Sequence, residues 1–144
     1  MKLKAFDQND LDSLALCAWK EARGEGPEGM RAVMHVIAHR AARWYGDHSE
    51  SVHNAVYGKN QFTSMSVPSD PNFNRKPAPV DPYWQFCVAM APAVCDGTDP
   101  DPTNGALYYC NLETADSGWF AEHIIGNPAN HPKVAQIGHH TFYA

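Results

Sequence analysis

The 144-residue sequence predicts an α+β fold, mainly helical, with a small β element and long proline-rich loops. Three observations carry that expectation. Two apolar stripes at helical spacing occupy the first third of the chain. A run of strand-forming composition stands out at ALYYCN (106–111). Eleven prolines and ten glycines crowd the segments between. The length suits a single domain over residues 1–144, able to bury a core without disulfides or metal.

The first helix is expected from Asn9 or Asp10, both good N-cap residues, to Ala22. Leu11, Leu14, Ala15, Ala18, Trp19 and Ala22 form its apolar stripe. Glu21 lies seven residues after Leu14 and three after Ala18, which places it at the flank of that stripe. Gly24 and Gly26 end this helix, and Pro27 suits the first turn of the next. Met30, Val33, Met34, Ile37, Ala41 and Trp44 mark the second helix, which Gly46 closes. A helical turn is expected over 51–57 and a brief strand over 61–65. The stretch VPSDPNFNRKPAPVDP (67–82) holds too much proline for a regular element and reads as a long loop. A third helix is expected from Asp81-Pro82 to Cys95, with Pro92 kinking its last turn, followed by the turn-rich DGTDPDPTNG (96–105).

A charged fraction of 19% is that of a soluble globular protein. The formal net charge of −5 speaks against a nucleic-acid surface, and against simple electrostatic adhesion to an anionic cell surface. No apolar run of signal-peptide length follows Lys2 and Lys4, and no stretch approaches the roughly 20 apolar residues that span a bilayer. Cytoplasmic synthesis without an export address and no membrane insertion are therefore expected. Cys17, Cys87, Cys95 and Cys110 are too few and scattered for a disulfide scaffold and read as small buried apolar residues.

Glu21 is the first candidate for chemistry. A carboxyl group on the edge of an apolar helix face is partly desolvated, which favours its neutral form. Such a group can donate a proton to a leaving oxygen, the general acid's task in glycoside cleavage. The competing reading is a solvated carboxylate or a partner for Arg23. His35 and His39 share one helix face, as zinc ligands can, but HVIAH lacks the glutamate of an HExxH motif. Packing is the expectation there, and no metal or other cofactor is expected. His123, His131, His139 and His140 form a loose histidine-rich tail that could supply a base or a ligand. Among Phe62, Phe73, Trp84, Tyr108, Tyr109, Trp119 and Phe120, some should stack on sugar rings and the rest fill the core.

AWKEARGEGPEGMRAVMHVIAHRA (18–41) resembles the opening motif of the SleB-like, spore-cortex-lytic cell-wall hydrolase family, in which a helix carrying E-A-R-G-E precedes one of A-V-x-x-V-x-x-N-R type. NQFTSM (60–65) is similar to its Q-F-S segment, GALYYCN (105–111) to its aromatic strand ending in Asn, and IGHHTFY (137–143) to its closing I-G-N-H-x-F-Y. His39 stands where the family pattern has Asn, Thr63 replaces Ser, and His139 replaces the Asn before His140.

The resemblance implies a lysozyme-like fold and a muralytic glycosidase acting on the MurNAc–GlcNAc backbone of peptidoglycan. It maps the catalytic acid onto Glu21 and substrate-binding positions onto Gln61, Phe62, Tyr108, Asn111 and His140. A single acid suits a lytic transglycosylase; a hydrolytic muramidase generally needs a second carboxylate, for which Glu25 is the nearest candidate. A zinc-dependent amidase or peptidase and a non-cutting wall-binding module are the rival classes. The expected setting is a phage endolysin, monomeric, made in the host cytoplasm and acting at the wall after release, with glycan strands as its partner; a bacterial wall-remodelling or germination enzyme is the alternative setting.

Overall fold

The computed structural model describes residues 2–114 and 118–144. Five helices come first: α1 (Gln8–Ala22), α2 (Gly26–Trp44), α3 (Ser51–Tyr57), the single turn α4 (Thr63–Ser66) and α5 (Pro82–Asp96). A three-stranded antiparallel sheet follows, β1 (Tyr108–Asn111), β2 (Lys133–Ile137) and β3 (His140–Tyr143), in the order β1-β3-β2. The last strand is thus the central one. None of the helices among the described residues is long and apolar enough to cross a membrane.

Helix α1 begins earlier than Asn9. Asp7 is its N-cap, accepting from the Asp10 N–H at 2.9 Å, while the Asp10 carboxylate accepts from the Asp7 N–H in return. Asp10 is wholly buried because it also accepts from the Glu50 and His53 N–H groups at the start of α3. One carboxylate therefore caps α1 and pins α3 to it, so Asp10 serves better as the third helical residue than as a cap.

A 3-10 turn (Arg23–Glu25) joins α1 to α2, and Gly26 takes a φ of 78° that favours glycine. α1 packs against α2, α3 and α5 around Leu14, Ala18, Met34, Ile37, Val56 and Val94. The opposite side of α2 presents Ala32 and Val36 to Ala106 and Phe142, a second cluster beneath the sheet. Helix α2 is buried on both sides because it separates the helical layer from the sheet. Each large apolar side chain fully buried in these clusters stabilises the fold by about 1.5–3 kcal/mol.

The strand expected over 61–65 does not form. Phe62 alone is extended, and Thr63–Ser66 closes a helical turn through Met65 N–H to Phe62 O and Val67 N–H to Thr63 O. The segment makes its own turn hydrogen bonds, so it needs no neighbouring ladder. Residues 67–81 form successive turns without a regular element, and Pro92 lies inside α5, which runs on to Asp96. All four cysteines are free; Cys17, Cys87 and Cys95 are buried and Cys110 is half-buried.

Candidate active site

The end of α1 projects Glu21 into a cleft of about 460 Å³ between the helical layer and the sheet. Its neighbours in sequence fix that position. Ala22 is buried, and Lys20 is buried with its Nζ donating to the Ser64 carbonyl at 3.2 Å and the Phe73 carbonyl at 2.8 Å. Lys20 thereby holds α4 and the proline-rich loop against α1. Arg23 donates to the Trp19 and Lys20 carbonyls and to Asn72, so it is not the partner of Glu21.

Both carboxyl oxygens of Glu21 are held. Ser64 Oγ donates to Oε2 at 2.7 Å and the Tyr109 hydroxyl donates to Oε1 at 2.8 Å. Burial, then the charge of Glu21, pushes the Tyr109 phenol well above its ordinary pKa, so it stays protonated and remains a donor. The two donors come from different layers, α4 and β1, and together select one rotamer of the carboxyl group.

The floor of the cleft is built around Arg40. Its guanidinium lies over the rings of Phe62, Trp44 and Tyr108 at 5.1, 5.4 and 5.7 Å. Arg40 Nε donates to the Leu107 carbonyl at 2.7 Å, and a terminal nitrogen reaches Gln61 Oε1 at 3.4 Å. Burial lowers its pKa, but from so high a starting value that the group keeps its charge. Asn60, Trp119 and Phe120 complete the lining. Trp119 is 61% exposed, leaving much of its indole open to a ligand.

Of the residues singled out from sequence, Glu21, Gln61, Phe62 and Tyr108 therefore meet in one cleft. Asn111 and His140 do not line it. The Asn111 amide oxygen accepts from the Glu113 N–H, making a turn after β1. His140 pairs with Asn111 across the β1–β3 ladder and sits beneath Tyr109, its ring 5.0 Å away, with Nδ1 buried and without a hydrogen-bond partner among the described residues. Phe73 lies against Lys20 and Trp84 against the main core. Glu25 is turned away from the lining and accepts from the His139 N–H and ring, so Glu21 is the single acid among the lining residues.

Arg40 and Ser64 were not picked out from sequence, and Tyr109 stood only among the aromatics shared between sugar stacking and core. Arg40 did leave a signal, being a lone cation in line with Ile37 and Trp44 on an apolar face. Nothing in the sequence aims Ser64 or Tyr109 at Glu21.

The cell wall hydrolase family matches residues 24–143, more than four fifths of the sequence, beginning three residues after Glu21. The chain belongs to this family. The spore cortex-lytic enzyme of Oceanobacillus iheyensis is 29% identical over 143 residues, covering 96% of this chain and 43% of the relative. That of Bacillus subtilis strain 168 is 32% identical over 138 residues, covering 95% and 38%. This member of the cell wall hydrolase family thus spans less than half the length of those curated relatives.

Among solved structures, the catalytic domain of the germination-specific lytic transglycosylase SleB from Bacillus anthracis superposes with a TM-score of 0.67 at 27% identity, covering 96% of both chains. The catalytic domain of the Bacillus cereus SleB protein gives 0.68 at 26%, covering 99% of this chain and 95% of that one. The mainly helical, lysozyme-like fold with a small sheet is therefore shared with those catalytic domains.

A separate cluster lies on α2 facing the 97–106 loop. His35 Nε2 meets Asp99 Oδ2 at 2.6 Å, Arg31 Nε donates to the same oxygen at 2.7 Å, and His39 Nδ1 meets the Ala106 carbonyl at 2.8 Å. His35, His39 and Asp101 could together hold a metal ion, their ligand atoms lying within 4.8 Å of one another. None of the three lines the cleft of Glu21.

Proposed function

We propose that the chain is a peptidoglycan-degrading glycosidase that cleaves the MurNAc–GlcNAc backbone as a lytic transglycosylase, with Glu21 as its acid and base. The observation that carries this reading is a single carboxyl group in an aromatic-walled cleft, with both oxygens held by Ser64 and Tyr109. The protonated Glu21 gives its proton to the glycosidic oxygen as the bond to the anomeric carbon breaks. The resulting carboxylate then takes the proton of the muramic acid 6-hydroxyl, whose oxygen attacks the anomeric carbon and closes a 1,6-anhydro ring. The enzyme ends with Glu21 protonated, so no outside proton or water is consumed.

Gln61, Phe62 and Tyr108 line the path of the glycan, and Trp119 offers a face on which a sugar ring can stack. Asn111 and His140 support that wall from behind through the β1–β3 pairing. A hydrolytic muramidase is the alternative; it would need a second carboxylate to steer water, and Glu25 is engaged with His139. The whole chain acts as one catalytic unit and as a monomer.

Purified peptidoglycan is the substrate for the test, incubated with wild type and Glu21→Gln. Wild type should clear the suspension and leave anhydro-muramic ends, while the variant should fold normally and leave it turbid. Reducing muramic ends would reassign the enzyme as a hydrolase. Intact glycan with freed stem peptides would identify an amidase and sink the glycosidase reading.

The finer setting is a phage endolysin, made in the host cytoplasm and reaching the wall once the membrane is breached. Opening the inner membrane of expressing bacteria should then trigger lysis. Equal lysis of intact cells would count against that setting.

A further inference from the structure

The geometry points to a zinc site, separate from the cleft, formed by His35, His39 and Asp101. The hydrogen-bond directions carry the argument. A carbonyl oxygen can only accept, so His39 Nδ1 must be the protonated nitrogen where it meets Ala106 O at 2.8 Å. Asp99 already accepts from Arg31, and His35 Nε2 must likewise donate to it at 2.6 Å.

In the neutral imidazoles the remaining nitrogens carry lone pairs, and both face Asp101. His39 Nε2 is 3.2 Å from Asp101 Oδ2, and His35 Nδ1 is 3.8 Å from Oδ1. Two lone-pair nitrogens thus converge on two carboxylate oxygens, an acceptor-to-acceptor arrangement that repels unless a cation lies between them. A proton on His39 alone answers the 3.2 Å contact and leaves the His35 lone pair facing the carboxylate; answering both with protons makes both imidazoles cationic. The rings are 6.3 Å apart, with His35 only 1% exposed and His39 only 6% exposed. Two like charges buried so close are costly.

A zinc ion removes the conflict. With bonds of about 2.0–2.1 Å, tetrahedral ligands sit roughly 3.4 Å apart, close to the spacing of both nitrogens from the carboxylate. The surroundings also match the habit of metal-bound histidines, whose second N–H goes to a carboxylate or a backbone carbonyl. Here Asp99 serves His35 and Ala106 O serves His39. The Thr103 hydroxyl and the Thr103 and Gly105 N–H groups orient Asp101 from within its loop. Three protein ligands leave a fourth position to water.

Zinc there clamps the 97–106 loop onto α2. The clamp is felt at β1, because His39 and Arg40 bind the consecutive carbonyls of Ala106 and Leu107 just before Tyr108 and Tyr109. This site lies outside the SleB-like motif pattern, in which position 39 is Asn.

The test reads metal, not lysis, so its result is independent of the glycosidase assignment. The full chain is stripped with a chelator, dialysed against zinc chloride, and its bound metal and melting temperature are measured. Wild type should retain a single zinc per chain and melt at a higher temperature when loaded. His39→Asn, whose amide can still donate to Ala106 O, should retain none and show no shift. Asp99→Asn should bind about 10–100-fold more weakly, and His123→Ala, on the surface, should bind as wild type does.

Wild-type protein that retains no zinc, or a folded His39→Asn that retains as much, would overturn the site. Cobalt(II) supplies a readout on the wild type that does not depend on any variant folding. An intense four-coordinate spectrum supports the site, and the weak octahedral spectrum of hydrated cobalt rejects it.

Discussion

At the scale of single residues, the proposed chemistry rests on how the carboxyl group of Glu21 is held. Tyr109 and Ser64 each contribute one hydrogen bond to it, and bonds to a charged group are worth about 1.5–3 kcal/mol. Tyr109→Phe keeps the ring packed against Phe142 and His140 while removing the donor. We expect kcat to fall roughly 10- to 100-fold, with KM and melting temperature nearly unchanged. Clearing rates measured over a range of peptidoglycan concentrations separate the two constants, and an unchanged kcat would remove Tyr109 from the reaction.

His140 gives a pH dependence of stability. Burial pushes its pKa down, against the nearby charges of Glu25 and Glu21, which favour protonation, while His139 adds to the lowering. Because the folded value lies below the unfolded one of about 6.5, the unfolded chain takes up a proton that the folded chain refuses. Stability therefore falls as pH drops through about 6.5, and continues to fall until the folded pKa is reached. Denaturant midpoints between about pH 7.5 and pH 5.5 should decline in wild type and decline less in His140→Gln. Parallel curves would mean that His140 does not contribute.

At the scale of elements, the cleft depends on segments that have little regular structure of their own. The proline-rich loop and α4 are held to α1 by the buried ammonium of Lys20, whose pKa burial lowers. Lys20→Met fills similar space but leaves the Ser64 and Phe73 carbonyls without their donor. A loss of about 1–3 kcal/mol is expected, since an unsatisfied buried acceptor bears its full desolvation cost. The freed loop should also be cut faster by trypsin after Arg75, and activity should fall as Ser64 loses its fixed place. A variant as stable and as protease-resistant as wild type would show that the loop is held by other contacts.

At the scale of the whole molecule, the formal net charge of −5 bears on the proposed encounter with an anionic wall. Long-range repulsion slows the encounter, and salt relieves it by shortening the screening length from about 30 Å at 0.01 M to about 8 Å at 0.15 M. Clearing of whole peptidoglycan should therefore speed up over that range, while cleavage of a short uncharged glycan should not. A rate that falls with salt would instead reveal a local cationic surface as the docking face. On the proposed function, affinity is made in the aromatic cleft, through contacts that salt hardly touches.

The sequence by itself determined the helical half of the fold and the place of Glu21 within it. Apolar spacing is a local property, so α1, α2, α3 and α5 could be read from it, and so could the place of Glu21 at the edge of a stripe. Local spacing could not say where a hydroxyl or a loop would arrive. β2 and β3 went unread because each needs a partner strand, and α4, expected as a strand, is a single turn held from outside by Lys20. The tertiary structure alone brought Ser64 and Tyr109 to Glu21 across 43 and 88 residues, and Asp101 toward His35 and His39. Those meetings depend on α2 being buried between two layers, a long-range packing outcome that hydrophobic patterning permits but does not specify.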